Sequence, residues 1–207
     1  MSGLSLQNRF LKRSFDLFVS LIGLCLTWWV ILLTFVIASI DMGRNGFYVQ
    51  ERIGRKGRPF KMIKIRTMRE MPSITTTVTT SNDVRITPVG RFLRKTKLDE
   101  LPQLINVLFG QMSLVGPRPD VAGFADKLKG QDRIILSVRP GIIGPGTLKY
   151  LYEEELLAEQ YDPEKYNREV IFPDKVKKNR AYVENYSLLS DFKYLYRTAV
   201  RLKYHKK

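Results

Sequence analysis

The chain has 207 residues, room for one compact domain with an accessory element. Its 35 Lys and Arg against 20 Asp and Glu leave a net charge of +15, which calls for an anionic partner: nucleic acid, an anionic membrane face or phosphorylated substrates. One cysteine, Cys25, excludes an internal disulfide. One histidine, His205 in the basic tail, sets aside histidine acid–base catalysis and a His/Cys metal cluster, so any metal must be held by carboxylates and phosphates, as Mg²⁺ is.

Leu17 to Ile40 is 24 residues without a charge. At about 1.5 Å per residue a helix of that length crosses a bilayer. The run lacks the small-x-small cleavage site of a signal peptide. Arg9, Lys12 and Arg13 precede it, and Arg44, Arg52, Arg55, Lys56 and Arg58 follow it. The preference of basic flanks for the cytoplasm pulls both ends to one side. A single span cannot meet that condition; a re-entrant helix that dips into one leaflet and returns can. Trp28 and Trp29 mark the midpoint, where a straight span would put two interface-seeking rings at the bilayer centre, and no proline or glycine there breaks the helix. The chain divides into residues 1–41, a membrane-inserted helix, and residues 42–207, a basic domain.

Phe47–Ile53 and Phe60–Met68 read as strands joined by Gly54-Arg55-Lys56-Gly57-Arg58-Pro59, a small basic hairpin. Residues 71–83 are Thr-rich without apolar period and read as a mobile loop. Thr87-Pro88 is a helix start for a segment carrying Arg91, Arg94 and Lys95. A second helix is predicted over 99–109, ending at Gly110. A short helix is expected over 126–135, a loop over 139–146, and helices over 153–160 and 174–185. Leu188, Leu189, Phe192, Leu195, Tyr196, Ala199 and Val200 form one apolar helical row, with Lys193, Arg197, Arg201 and Lys203 around it. Such a helix suits a membrane surface or an ordinary core.

The chemistry concentrates between Arg91 and Pro119. Asp99 and Glu100 are adjacent carboxylates preceded by Arg91, Arg94, Lys95 and Lys97. Carboxylates beside fixed cations are the parts of phosphoryl chemistry: a nucleophile or metal ligand, and positive charge for phosphate oxygens. Asp99 alone would also serve as a helix N-cap, a role that leaves Glu100 unexplained. Arg118, between Pro117 and Pro119, sits on a restricted backbone and reads as a phosphate ligand or a rigid surface turn. Arg139, before Pro140-Gly141, has the same two readings. Lys64 and Arg66 share one strand face, lining a site or solvated.

Together these stretches resemble the monotopic phosphoglycosyl transferases, the bacterial sugar transferase family, in its small stand-alone form. The likeness runs from Phe10 to about Val200. It covers Phe10-Leu11-Lys12-Arg13 and Asp16, Gln50-Glu51-Arg52-Ile53-Gly54, and Lys64-Ile65-Arg66-Thr67-Met68. It is densest in Leu98-Asp99-Glu100-Leu101-Pro102-Gln103-Leu104, Asn106-Val107, Gly110 and Met112-Ser113-Leu114-Val115-Gly116-Pro117-Arg118-Pro119. Arg139-Pro140-Gly141-Ile142 and Asn185-Tyr186-Ser187-Leu188 complete it. Two positions depart from the family pattern: Trp28-Trp29 stands at its Ser-Pro break, and Ile143 replaces Thr after the Arg-Pro-Gly-Ile run.

The resemblance implies an α+β, mainly helical fold with a re-entrant membrane helix, the basic hairpin, catalytic helices and amphipathic interfacial helices. It implies transfer of a sugar 1-phosphate from a UDP-sugar to polyprenyl (undecaprenyl) phosphate, with release of UMP, at the cytoplasmic face of the bacterial inner membrane. Asp99 matches the nucleophile and Glu100 its partner, both toward Mg²⁺. Arg118 matches the phosphate-binding arginine, and Lys64, Arg94 and Arg139 match basic positions lining the site. An anionic phospholipid membrane is the expected surface, and no nucleic acid partner is expected; oligomeric state, the particular sugar and the pathway stay open. Two other readings compete: a membrane pyrophosphatase with water as acceptor, and a non-catalytic basic protein recruiting anionic lipid or nucleic acid.

Overall fold

The computed structural model describes residues 3–204 except Thr75, with the side chains of residues 202–204 left aside; His205 lies outside the described residues. Helix α1, Leu6–Met42, is 37 residues long and starts where the Ser5 hydroxyl accepts from Asn8 N. It runs unbroken through Trp28 and Trp29. Its polarity is inverted: the face against the protein carries Lys12, Asp16, Ser20 and Thr34, whereas Phe10, Phe18, Leu26, Trp28, Trp29 and Leu33 are exposed. The hydroxyls of Ser20, Thr27, Thr34 and Ser39 donate to carbonyls three or four residues back, so none needs water.

Both halves of α1 dock on the same body. Near its start, Asp16 Oδ1 accepts from Leu114 N at 3.0 Å, and Arg13 donates to the carbonyls of Val107 and Leu108. Near its end, Phe35 stacks on Phe47 at 4.6 Å, the Ser39 hydroxyl accepts from Gly46 N, and Asp41 accepts from the Thr87 hydroxyl at 2.6 Å.

Strands β1 (Phe47–Ile53) and β2 (Pro59–Ile65) pair antiparallel, from Phe47 opposite Ile65 to Ile53 opposite Pro59. The second strand stops at Ile65, short of the expected Met68, because Arg66 N turns to Gly46 O and Met68 instead forms an isolated bridge with Ile86. Residues 71–83 hold no helix or strand among the described residues. Helix α2, Pro88–Thr96, begins as its sequence predicts, with the Thr87 hydroxyl accepting from Gly90 N and Pro88 at the first position.

The helix predicted over 99–109 is split. Leu98–Glu100 is a 3-10 turn, and α3 proper is Gln103–Leu108. Asp99 is therefore not the N-cap of α3; that position is Pro102, without a side-chain cap. Strand β3 (Ser113–Val115) pairs parallel with β4 (Gly141–Ile143), inside the stretch 139–146 expected to be loop. Three-residue strands leave no alternation to read. The helix expected over 126–135 appears as two 3-10 turns, Ala125–Lys127 and Gly130–Ser137, because the Arg133 side chain takes the carbonyls of Asp126 and Leu128.

Helices α4 (Pro145–Lys149), α5 (Glu153–Ala158), α6 (Pro163–Tyr166), α7 (Phe172–Glu184) and α8 (Leu188–Tyr204) complete the fold. A π-turn at Asn167–Ile171 joins α6 to α7 just before Pro173, which has no N–H to continue the ladder. The fold is thus mainly helical with two small sheets and one long apolar N-terminal helix. Its main core is Met62, Val107, Met112, Val115, Val138 and Tyr182.

Helix α8 repeats the inversion of α1: Leu189, Phe192 and Tyr196 are exposed while Asp191 is fully buried. Asp191 Oδ2 pairs with Lys12 Nζ at 2.6 Å, and Oδ1 accepts from the Tyr182 hydroxyl at 2.7 Å. Tyr186 also donates to Asp191, and its ring lies 5.5 Å from the Lys12 ammonium. Removing one partner of a buried ion pair leaves the other charge stranded. Asp191→Ala should lower unfolding stability in detergent by about 3–5 kcal/mol, and Lys12→Met in the same chain should restore a large part of it; chemical denaturation curves of the three proteins check this.

Candidate active site

Lys97, at φ 59° and ψ 17°, closes α2 in a left-handed turn and swings the next three residues back against β2. That places Glu100 under two cations from different elements. Arg118 grips it with both terminal nitrogens, at 2.6 and 3.3 Å, and Lys64 Nζ lies 3.5 Å from the same carboxylate. Arg118, and Lys64 with it, hold the Glu100 carboxyl well below the usual range although burial opposes them. The same pair raises Arg118, while burial brings Lys64 down to about 8.

Arg118 owes its place to a backbone junction. Gly116 N donates to Ile143 O, and Gly141 N donates to Pro117 O, each at 2.8 Å. A methyl on Gly141 would stand 2.1 Å from Gly116 N, and one on Gly144 would stand 2.0 Å from Gly116 O. The two proline-containing motifs are therefore zipped backbone to backbone, at a distance only glycine permits. Asn106 performs a similar service for β2: its amide accepts from Ile63 N and donates to Lys61 O, fixing the strand that carries Lys64.

Asp99 is different. It is 5% exposed, and its Oδ1 is buried without a hydrogen-bond partner. Burial first, and Glu100 second, push its pKa up to about 6 against Lys64, Arg94 and Lys97. Gln103, one helical turn on, is 1% exposed, and both polar atoms of its amide lack partners. The site thus holds one saturated carboxylate and one free one.

The expected residues do not all converge. Asp99, Glu100, Lys64 and Arg118 form one cluster. Arg94 lies within electrostatic reach of Asp99, but its guanidinium is engaged by Glu154 and the Thr67 hydroxyl. Arg139 donates Nε to Gly110 O at 2.7 Å, and its charged neighbours are Arg13 and Asp16 rather than the carboxylate pair. Sequence reading counted Arg52 only among the basic residues flanking the apolar run; it donates to Gln50 and to Pro119 O and lies near Arg118. Nor did sequence reading single out Asp120, raised to about 6 by burial, or Gln103 and Asn106. All but Asp120 stand inside the motifs that carry the family resemblance; that was the available signal.

A paired-carboxylate, polycationic cluster on a body with a long outward-facing apolar helix suits an enzyme of anionic substrates beside a membrane. The chain belongs to the bacterial sugar transferase family, whose profile matches residues 7–204, and it is a transferase. It is 32% identical over 203 residues to the exopolysaccharide production protein ExoY of Rhizobium meliloti, covering 90% of this chain and 83% of that one. It is 34% identical over 209 residues to the undecaprenyl-phosphate galactose phosphotransferase of Salmonella typhimurium, covering 93% and 40%. It is 38% identical over 141 residues to the UDP-glucose:undecaprenyl-phosphate glucose-1-phosphate transferase of Klebsiella pneumoniae, covering 66% and 30%. The chain spans well under half of these last two relatives.

The raised Asp99 pKa has a sign that can be tested. Its charged form is disfavoured in the fold, so the cost is absent below the unfolded value near 3.8 and fully present above about 6. Asp99→Asn, which never ionises, should be more stable than the parent at pH 7 by about 1–3 kcal/mol. The advantage should vanish as pH falls from 6 to 4; melting temperatures across that range check it.

Proposed function

We propose that this transferase moves a sugar 1-phosphate from a UDP-sugar to polyprenyl (undecaprenyl) phosphate and releases UMP, at the cytoplasmic face of the bacterial inner membrane. The reaction would be the first membrane step of a glycoconjugate or polysaccharide. The observation that carries the reading is the partnerless, buried Oδ1 of Asp99 beside a Glu100 already neutralised by Arg118 and Lys64. The relatives' names, which include UDP-glucose and undecaprenyl phosphate, support the choice of donor and acceptor.

Asp99 attacks the β-phosphorus of the UDP-sugar. The bond from that phosphorus to the bridging oxygen breaks, and UMP leaves with the electron pair. A phosphate oxygen of the polyprenyl phosphate then attacks the same phosphorus, the Asp99–phosphorus bond breaks, and the carboxylate returns. Glu100 is the poorer nucleophile because Arg118 and Lys64 already hold its charge. Asp99, more basic and still mostly ionised at neutral pH, is the better one. Arg118 and Lys64 face the charge that develops on phosphate oxygens.

The donors fit Mg²⁺: hard carboxylate oxygens on Asp99 and Glu100, one of them free, with phosphate oxygens to complete the set. Among the described residues no group of three or more His, Cys, Asp or Glu side chains is placed to hold a metal, so the substrate would supply much of the coordination. When bound, the ion screens the charges of carboxylate and diphosphate from each other. Incubation with UDP-sugar and no lipid should give a phosphosugar adduct on Asp99 by intact mass, and Asp99→Asn should abolish both adduct and turnover. Full turnover in that variant would remove Asp99 from the mechanism. Sustained UMP release without lipid would make water the acceptor.

The docking of α1 supports the membrane placement proposed. A span would carry its two ends to opposite faces, about 30 Å apart. Here Lys12 and Asp16 at one end and Phe35, Ser39 and Asp41 at the other dock on one body. We place α1 in one leaflet, with both ends on the cytoplasmic side and its apolar face in the lipid. In a Cys25→Ala background, single cysteines at Ser5 and Ser81 should both resist an impermeant thiol reagent in intact cells and react after permeabilisation. Outside labelling of Ser5→Cys alone would establish a span.

A further inference from the structure

A second cationic cluster lies at the far end of α3 from Asp99. Arg9, Lys12, Arg55 and Arg139 line one small cleft with Leu4, Asp16, Ser113, Ser137 and Val138, so four cationic side chains meet one carboxylate. Lys12 is already committed to Asp191, at 2.6 Å. Arg9, Arg55 and Arg139 enter none of the salt bridges among the described residues. Arg55 is held by a single side-chain bond to Ser137 O and Arg139 by one to Gly110 O, which leaves most of their donors unused. The Ser137 hydroxyl in the same cleft is buried and has no partner. Burial, and then Arg9 and Arg139, pull the Arg55 pKa down, as expected of cations assembled without their counter-ion.

The catalytic reading does not use this cluster. Arg139 and Arg13 cap the carbonyl end of α3, at Val107, Leu108 and Gly110, whereas Asp99 precedes its other end. The six residues of α3 lie between them, on the order of 9 Å of helical rise. The surroundings identify the ligand. Arg9 stands on α1 between Leu6 and Phe10, which are 83% and 73% exposed. An anion held there touches the edge of the apolar face that α1 turns outward.

We propose that Arg9, Arg55 and Arg139, with the Ser137 hydroxyl, form a binding cleft for the phosphate of an anionic membrane phospholipid. Its chains would lie along the exposed face of α1, pinning the enzyme's depth and tilt in the leaflet. The inference rests on the leaflet placement of α1 and is independent of the transfer chemistry.

The test uses the full chain in detergent micelles, titrated with phosphatidylglycerol, phosphatidylcholine or polyprenyl phosphate and read by native mass spectrometry, with inorganic phosphate as competitor. One phosphatidylglycerol should be retained in preference to phosphatidylcholine. Arg9→Gln and Arg55→Gln should each cut the bound fraction by about fivefold. Lys56→Gln and Arg58→Gln, which remove the same charge from the exposed neighbouring turn, should leave it unchanged. Melting temperatures of all four variants confirm that they fold. Equal losses in the turn variants would reduce the effect to general charge, and no loss in the cleft variants would remove the site. Displacement by equimolar inorganic phosphate would make it a free-phosphate site, and preference for polyprenyl phosphate over phosphatidylglycerol would make it an acceptor site; each overturns the proposal.

Discussion

Glu100 is buried beneath two cations that come from separate parts of the fold, Lys64 from β2 and Arg118 from the turn after β3. A carboxylate this enclosed cannot stay charged unless its partners are held in place. Much of the surrounding structure does that holding. Asn106 bolts α3 to the strand that carries Lys64. The glycine junction of Gly116, Gly141 and Gly144 fixes the turn that carries Arg118. Lys97 accepts a left-handed backbone in the turn that brings Glu100 to both. Because Glu100 absorbs these charges, Asp99 next to it keeps an oxygen free and a raised pKa. Two adjacent acids thereby acquire opposite characters from position alone.

A second constraint orders the membrane side. In water, α1 and α8 would turn their apolar residues inward; here they bury Lys12, Asp16 and Asp191 and expose Phe10, Trp28, Phe192 and Tyr196. That arrangement suits helices whose outer face lipid covers and whose inner polar groups are mostly paired, Asp16 Oδ2 being an exception. Asp191 meets the second condition by gathering Lys12, Tyr182 and Tyr186. The first and last helices are thus joined by one buried charge, and Phe15 packs on Phe192 beside it. Docking both halves of α1 on the body that carries Asp99 and Arg118 also fixes the apolar face of α1 relative to that cluster.

Much of this was legible in the residues. The uninterrupted apolar run announced α1, Thr87-Pro88 announced α2, and the acid pair amid cations announced where charged side chains cluster. What could not be read has a common cause. The β3–β4 pair, the split of the expected helix at Glu100 and the 3-10 turns around Arg133 are set by contacts between segments far apart in the chain, which local periodicity does not carry. The same holds for Arg139. Its motif resembles that of Arg118, arginine beside proline and near glycine, yet the backbone junction sends one guanidinium to Glu100 and the other to the carbonyl end of α3.

That junction also explains a departure from the family pattern. Ile143 stands where threonine is usual, and a side-chain role in binding sugar or nucleotide would make the change costly. In this fold the position works through its main chain: Ile143 O accepts from Gly116 N at 2.8 Å, a bond any L-residue supplies. Gly141 and Gly144 on either side have no such freedom, since a Cβ at either would collide with the Gly116 backbone. The motif is therefore constrained by the approach of two chains, with the glycines as its fixed points and residue 143 free to vary. A change there alters a half-buried side chain and leaves the backbone bonds that fix the turn of Arg118 in place.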